Sequence, residues 1–340
     1  MSISISRRSA LASALAVTGL GLMLAAHAGE APAAAEVPLS ALRAEATLQL
    51  ERKDYAAAIV AAQRYVKAGG AEADVRPVLA QAFYRKGDYE NAARELQWQV
   101  QAAERAGRAP GEDMLLLLQK CYVQLNDGNA TAWALEKLVT YYPTRVYWAE
   151  LLDRTQQRPD FGLPLAMDVN RLRLLTGTLA GAAGYLQLAS QAAEAGFPAE
   201  AVQVMDRGFA SGVLGSGSDA ARQRLWREQW RGQALAQRQH IEQPEVRAAA
   251  ERAADGIELV NLGYAHVTQG LHDRGLAMME QGLRKGRLAN RPQYAKLHLA
   301  IAYLMAGQTA KAVEAFKVVG GRHGAADLAR IWGLYAARLQ

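Results

Sequence analysis

One cysteine, Cys121, stands in the 340 residues, which excludes any intramolecular disulfide. It falls beside Leu118 and Tyr122 on an apolar helical stripe and is expected as a small buried side chain. Proline is scarce, with ten residues, and the dominance of alanine, leucine and glutamine favours helix over strand. The nucleophile and phosphate motifs are missing: there is no G-x-S-x-G, no H-E-x-x-H and no Walker-type loop. The glycines at 212–217 follow no apolar strand, so a dinucleotide reading has no context. Six histidines are present, yet none has ligand spacing, and His266 and His272 are separated by a predicted corner. Asn129-Ala130-Thr131 is a glycosylation sequon in spelling only. No catalytic set, metal or cofactor is therefore expected. The formal charge is +6 and spread along the chain, which gives little support to a nucleic-acid partner.

The N-terminal residues read as an export signal, with an uncleaved membrane anchor as the rival reading, for which the apolar run is short and Gly-interrupted. Arg7 and Arg8 form a basic region, Ala10 to Ala26 is uncharged and rich in Ala, Leu and Gly, and Ala26-His27-Ala28 has the small-x-small form of a cleavage site. The expectation is a signal peptide over 1–28, cleaved near Ala28, and a periplasmic protein. Removing Arg7 and Arg8 lowers the formal charge to +4. The flanks of the two arginines leave the general secretory and twin-arginine routes both open. Residues 29–39 are Ala/Pro-rich and read as a flexible leader.

What is present is a recurring corner. Val78 to Val100 reads as a helix, a Gly87-Asp88-Tyr89 corner and a second helix. Leu79, Ala82 and Phe83 mark the first apolar face, and Ala92, Ala93, Leu96 and Val100 the second. Gly87 suits the backbone values of a tight corner and Asp88 suits an N-cap. Lys53-Asp54-Tyr55 makes a similar corner earlier in the chain, with Tyr55 matching Tyr89. Asn126-Asp127-Gly128 reads as a longer one, and Gly196, Gly270 and Gly307 mark later ones.

Leu79-Ala80, Phe83, Gly87, Tyr89 and Ala92 resemble the tetratricopeptide repeat (TPR), a helix-turn-helix unit of about 34 residues. Leu188-Ala189, Gly196 and Ala201 match it too, as do Leu262-Gly263 and Gly270. Leu299-Ala300, Tyr303, Gly307, Ala312 and Phe316 form the best late copy. The resemblance spans about 40–320 and implies an all-α superhelical solenoid of TPR-like helix pairs over 40–340. A pair with one apolar face cannot bury it alone, so neighbours must stack, and small residues at the crossings allow close approach.

Two regions break the period. Arg158 to Leu175 lacks a corner, although Pro159-Asp160 can start a helix carrying Leu165, Val169, Leu172 and Leu175. The stretch from Gly196 to Gly270 is too long for one unit and holds an irregular insertion. It opens on a glycine-rich candidate hinge at 212–218 and continues as a long helix from Asp219 to about Gln239. Ala325 to Leu339 reads as a helix capping the last repeat, with Leu328, Ile331, Trp332 and Tyr335 on one face.

In repeats of this type the first helices line the concave face, which makes Gln81, Tyr84, Arg85, Tyr264, Thr268 and Met305 the candidate peptide groove. Arg224, Arg227 and Arg231 share a face of the long helix and form a candidate secondary surface, with solvated arginines over packed Trp226 and Trp230 as the alternative. Tyr141, Tyr142, Tyr147 and Trp148 read as packing at a repeat junction.

The expected function is a non-enzymatic scaffold or adaptor that binds envelope proteins or their peptide segments and meets membranes only through partners. Tyr147-Trp148 and the stretch from Gly196-Phe197-Pro198 to Gly212-Val213-Leu214 look similar to envelope repeat proteins that accompany TonB-type energy-transduction systems. The alternative is a periplasmic carrier or assembly factor for outer-membrane protein or polysaccharide clients. An enzyme at the hinge would need convergent titratable groups, and only Asp219 and Arg207 lie nearby.

Overall fold

The structure is a computed structural model that describes residues 37–288, 292–321 and 324–340. The expected signal peptide, and the expected leader up to residue 36, lie outside the described residues. The described residues form seventeen α-helices and no strand. The first five pairs are α1 (Leu39–Glu51) with α2 (Tyr55–Lys67), α3 (Glu72–Lys86) with α4 (Tyr89–Arg105), α5 (Glu112–Gln124) with α6 (Gly128–Tyr141), α7 (Arg145–Gln156) with α8 (Ala166–Thr176), and α9 (Gly181–Glu194) with α10 (Pro198–Ala210). The long α11 (Ala220–Ile241) and short α12 (Pro244–Arg252) follow. Then come α13 (Ile257–Thr268) with α14 (His272–Lys285), α15 (Pro292–Met305) with α16 (Thr309–Lys317), and α17 (Ala325–Ala337). The chain is an all-α solenoid of helix pairs with an irregular central insertion.

Six of the pairs share one corner geometry. A residue with positive φ ends the first helix, at Lys53 (64°), Gly87 (85°), Asn126 (53°), Gly196 (85°), Gly270 (81°) and Gly307 (72°). The next residue, with negative φ and positive ψ, opens the second helix. The corner at Asn126 is therefore not longer than the others. Asn126 takes the glycine's place, which asparagine tolerates better than most residues, and Gly128 is already helical. In the first three corners that next residue is Asp54, Asp88 or Asp127, whose carboxylate accepts from the backbone N–H three residues on, at 3.0, 3.2 and 2.9 Å. The first helix has no such side-chain cap: α1 begins at Leu39, with Pro38 before it.

Between α7 and α8 there is no such corner. Pro159-Asp160 lies in the connection rather than starting a helix, and a short 3-10 turn, Leu163–Leu165, leads into α8 at Ala166. The stretch expected as a hinge is tied at its middle to both flanking helices, α10 and α11. Leu214 is buried, its N–H donates to Gly208 O at 3.0 Å, and Gly215 N–H donates to Gln223 Oε1 at 2.7 Å. No described helix is long and apolar enough to cross a membrane.

One apolar core runs from α3 and α4 through α8 and reappears in α13 to α17, so the C-terminal pairs fold back onto the middle of the chain. Trp148 of α7 meets Tyr335 of α17 edge to face at 6.2 Å. Arg330 of α17 forks onto both carboxylate oxygens of Glu136 at 3.0 Å, and Arg158 reaches Asp327 at 2.7 Å. The expected cap α17 is thus a clasp, packed on α16 along one side and on α6 and α7 along the other.

Cys121 is buried as expected, and burial pushes its thiol pKa up to about 11. A thiol reagent at pH 8 is therefore expected to leave the native protein unlabelled and to titrate one thiol after unfolding in guanidinium. Labelling of the native chain at the rate of a free thiol would contradict this burial.

Candidate functional site

The predicted groove residues separate into two environments. On α3, Gln81 and Arg85 are exposed, and Tyr84 is half-buried with its ring edge to face on Tyr89 at 5.6 Å. The equivalent places on α5, counted back from the corner, hold Lys120, Val123 and Gln124, all exposed, with Val123 at 41%. On α13 the same places hold Tyr264, Val267 and Thr268, each 1% exposed. On α15 they hold Ile301, which is buried, and Leu304 and Met305, which are half-buried. Tyr264 and Thr268 are interior residues rather than walls of an open groove, because α8 and α10 cover them. Phe197, just before α10, packs edge to face on Tyr264 at 4.8 Å, and Gln203 Nε2 donates to Thr268 O at 2.8 Å.

At the centre of this closure lies a buried charge network. Arg171 of α8 donates from Nε to Glu200 Oε1 at 2.6 Å, from Nη2 to Glu200 Oε2 at 2.7 Å, and from Nη1 to Asp168 Oδ1 at 2.5 Å. His298 Nε2 of α15 faces Asp168 Oδ2 at 3.2 Å, and the Arg171 guanidinium lies 5.1 Å from the Tyr264 ring centroid. The local fold explains the placement. Asp168 and Arg171 are one turn apart on α8, set among the buried Val169 and Leu172, and Glu200 sits in the first turn of α10, where the helix dipole favours an anion.

Burial alone would drive the Asp168 carboxyl up, but the charges of His298 and Arg171 outweigh it and hold the pKa below the ordinary range. The Arg171 guanidinium is disfavoured by burial and rescued by Glu200, Tyr264 and Asp168, which leave it well above its usual value. The Tyr264 phenol is pushed well up, chiefly by burial. Asp168, Arg171 and Glu200 spend their charges on one another and on His298, so the arrangement locks helices together. Because the folded pKa of Asp168 is depressed, its contribution is present above the ordinary 3.8 and is lost as pH falls through the folded value. Asp168→Asn is expected to lower the urea midpoint at pH 7 and to flatten its fall on the acid side below pH 3.8. An unchanged acid limb would contradict the assignment.

The arginines of α11 are divided. Arg227 is half-buried over the Phe209 ring at 4.5 Å, and Arg231 binds Asp206 at 3.0 Å and Glu228 at 2.9 Å. Arg224 is exposed with a long contact to Gly215 O at 3.5 Å. Beneath them Trp226 and Trp230 stack at 6.4 Å and pack on the α9–α10 core. The tryptophans are packed as the alternative reading had it, while two of the three arginines are ion-paired rather than an open basic face.

Tyr141, Tyr142 and Tyr147 tie neighbouring pairs together through Glu104 Oε1 at 2.9 Å, Pro110 O at 2.8 Å and Glu112 Oε1 at 2.7 Å, while Trp148 is buried. Among the described residues no three His, Cys, Asp or Glu side chains gather as a metal site would require.

No family model matches the chain. No curated protein matches it either. Among solved structures it is similar to the TPR2AB-domain:pHSP90 complex of yeast Sti1, at 14% identity over 88% of this chain and 94% of that one, with a TM-score of 0.29. It is also similar to the P58(IPK) TPR domain, at 14% identity over 88% of this chain and 65% of that one, with a TM-score of 0.26. The fold assignment rests on the helix pairs and their shared corner.

Proposed function

We propose that the chain is a non-enzymatic protein–protein interaction scaffold whose binding surface is the outward row on α3 and α5. One observation carries this reading. The repeat face is open at Gln81, Arg85, Lys120, Val123 and Gln124, with Tyr84 half-buried, yet it is covered by the chain's own helices at the equivalent places on α13 and α15, which are apolar but for Thr268. A scaffold needs an exposed face of mixed polarity on rigid elements, and the row on α3 and α5 has that character. In the finer reading the protein is an exported, periplasmic adaptor, associated with membranes only through partners and serving a TonB-type energy-transduction system. The sequence pattern from Met1 to Ala28 and the likeness around Tyr147-Trp148 support it.

Photo-crosslinking in cells from Gln81, Arg85 and Lys120 tests the proposal. One or two stoichiometric envelope proteins are expected. A diffuse set of outer-membrane proteins or glycans would favour the carrier reading instead, and no capture at any of the three would refute the surface. A probe at Tyr264 is expected to link only within the chain, to the segment around Phe197 or Arg171.

A further inference from the structure

Where α8 and α10 meet α13, α15 and α17, the closure leaves a cleft of about 370 Å³. Small-molecule sites span roughly 300–1,000 Å³, so the space suits one slender molecule rather than a folded segment. Its apolar lining comes from Leu175 of α8, Val267 of α13, Ile301 and Leu304 of α15 and Trp332 of α17, and Gln203 of α10 and Tyr335 of α17 add uncharged polar groups. The polar groups on its lining are not balanced. Glu200 is the one carboxylate side chain there, and both its oxygens are taken by Arg171. Arg207 of α10 also lines the cleft, is exposed, and makes no side-chain hydrogen bond or ion pair among the described residues. His272, at the start of α14, stands on the same lining.

An apolar slot with one unneutralised guanidinium on its lining selects a ligand with a single chain and an anionic head. A cationic head would meet Arg207 unfavourably, and a neutral chain would leave the guanidinium unused. We propose that the cleft binds a medium-chain fatty carboxylate, its head on Arg207 and its chain along Val267, Ile301 and Leu304. The site is independent of the α3 and α5 surface, so either can fail without the other.

The test is calorimetric titration of the full chain with decanoate, below its micelle concentration and at low ionic strength, with decyltrimethylammonium as the opposite-charge control. One-to-one saturable binding of decanoate is expected, at least tenfold tighter than the ammonium compound and weakened by added salt. Arg207→Gln, on an exposed side chain, is expected to weaken decanoate about tenfold and to leave the control no weaker, or tighter, because the repelling charge is gone. Leu304→Trp, which fills the slot from a half-buried position, is expected to abolish binding. Equal affinity for the two heads, decanoate binding undiminished in either variant, or no saturable heat would each overturn the proposal.

Discussion

Arg171→Ala is expected to destabilise the protein by about 3–5 kcal/mol, read as a fall in the urea or thermal midpoint, because it strips the compensating cation from two buried carboxylates. Asp168 and Glu200 are 1% and 6% exposed, and Arg171 supplies three of the hydrogen bonds they receive. After the substitution Glu200 has no counter-charge of its own, and Asp168 keeps only His298, which is 27% exposed and shared with solvent. A buried, unpaired carboxylate must either pull water into the closure or take up a proton, and each route costs free energy. The same reasoning predicts a different result when the whole set goes. Asp168→Leu, Arg171→Met and Glu200→Leu combined removes the charges and their desolvation together, and is expected to retain most of the stability or to exceed it. If Arg171→Ala were within about 1 kcal/mol of the parent, the network would not hold α8, α10 and α15 together. If the triple variant were as unstable as the single one, volume rather than charge would be what matters at this junction.

Much of the fold is legible in the sequence because the corner is a local device. A residue tolerant of positive φ, followed by a capping or turn residue, needs no distant partner, so Gly87-Asp88 and Gly307-Gln308 stand out by inspection. Asn126 hides the same corner only because the neighbouring Gly128 draws the eye two residues too far. The closure of the solenoid is not local, and its signals are fainter. One was present: the three places before each corner hold Gln81, Tyr84 and Arg85 on α3 but Ile301, Leu304 and Met305 on α15, and an apolar triplet at those places marks a covered face. A second was the pair Asp168 and Arg171 set among Leu165, Val169 and Leu172, where charge on an apolar stripe calls for a buried partner. Which partner it finds depends on how far the superhelix turns in one circuit. Small per-pair rotations set that turn, and no single residue encodes them. For the same reason Ala325–Ala337 reads equally well as a cap or as a clasp until Glu136 and Asp327 are seen beside Arg330 and Arg158.

The crossing of α13 and α14 gives the sharpest test of the close approach that small residues permit. At the equivalent place in other first helices the chain has Ala80, Ala189 and Ala300, all buried, whereas α13 has Gly263. A Cβ added to Gly263 would sit 2.5 Å from Gly275 O, and one added to Gly275 would sit 2.5 Å from Gly263 O. Both obstacles are backbone, so no side chain can swing away and the helices themselves must part. Gly263→Ala and Gly275→Ala are each expected to cost about 1–3 kcal/mol net of helix propensity, in the range of core overpacking. That sign runs against propensity, which favours alanine by up to about 1 kcal/mol within a helix. Gly232, inside α11, supplies the contrast: nothing lies within 4 Å of its added Cβ, and Gly232→Ala is expected to gain about 0.5–1 kcal/mol. Once one alanine has pushed the crossing apart, the second meets less resistance. The double variant should therefore lose less than the two single losses added together. Calorimetric midpoints of the four variants and the parent decide it. A Gly263→Ala variant as stable as Gly232→Ala would mean that α13 and α14 do not touch backbone to backbone, and the close crossing would have to be abandoned.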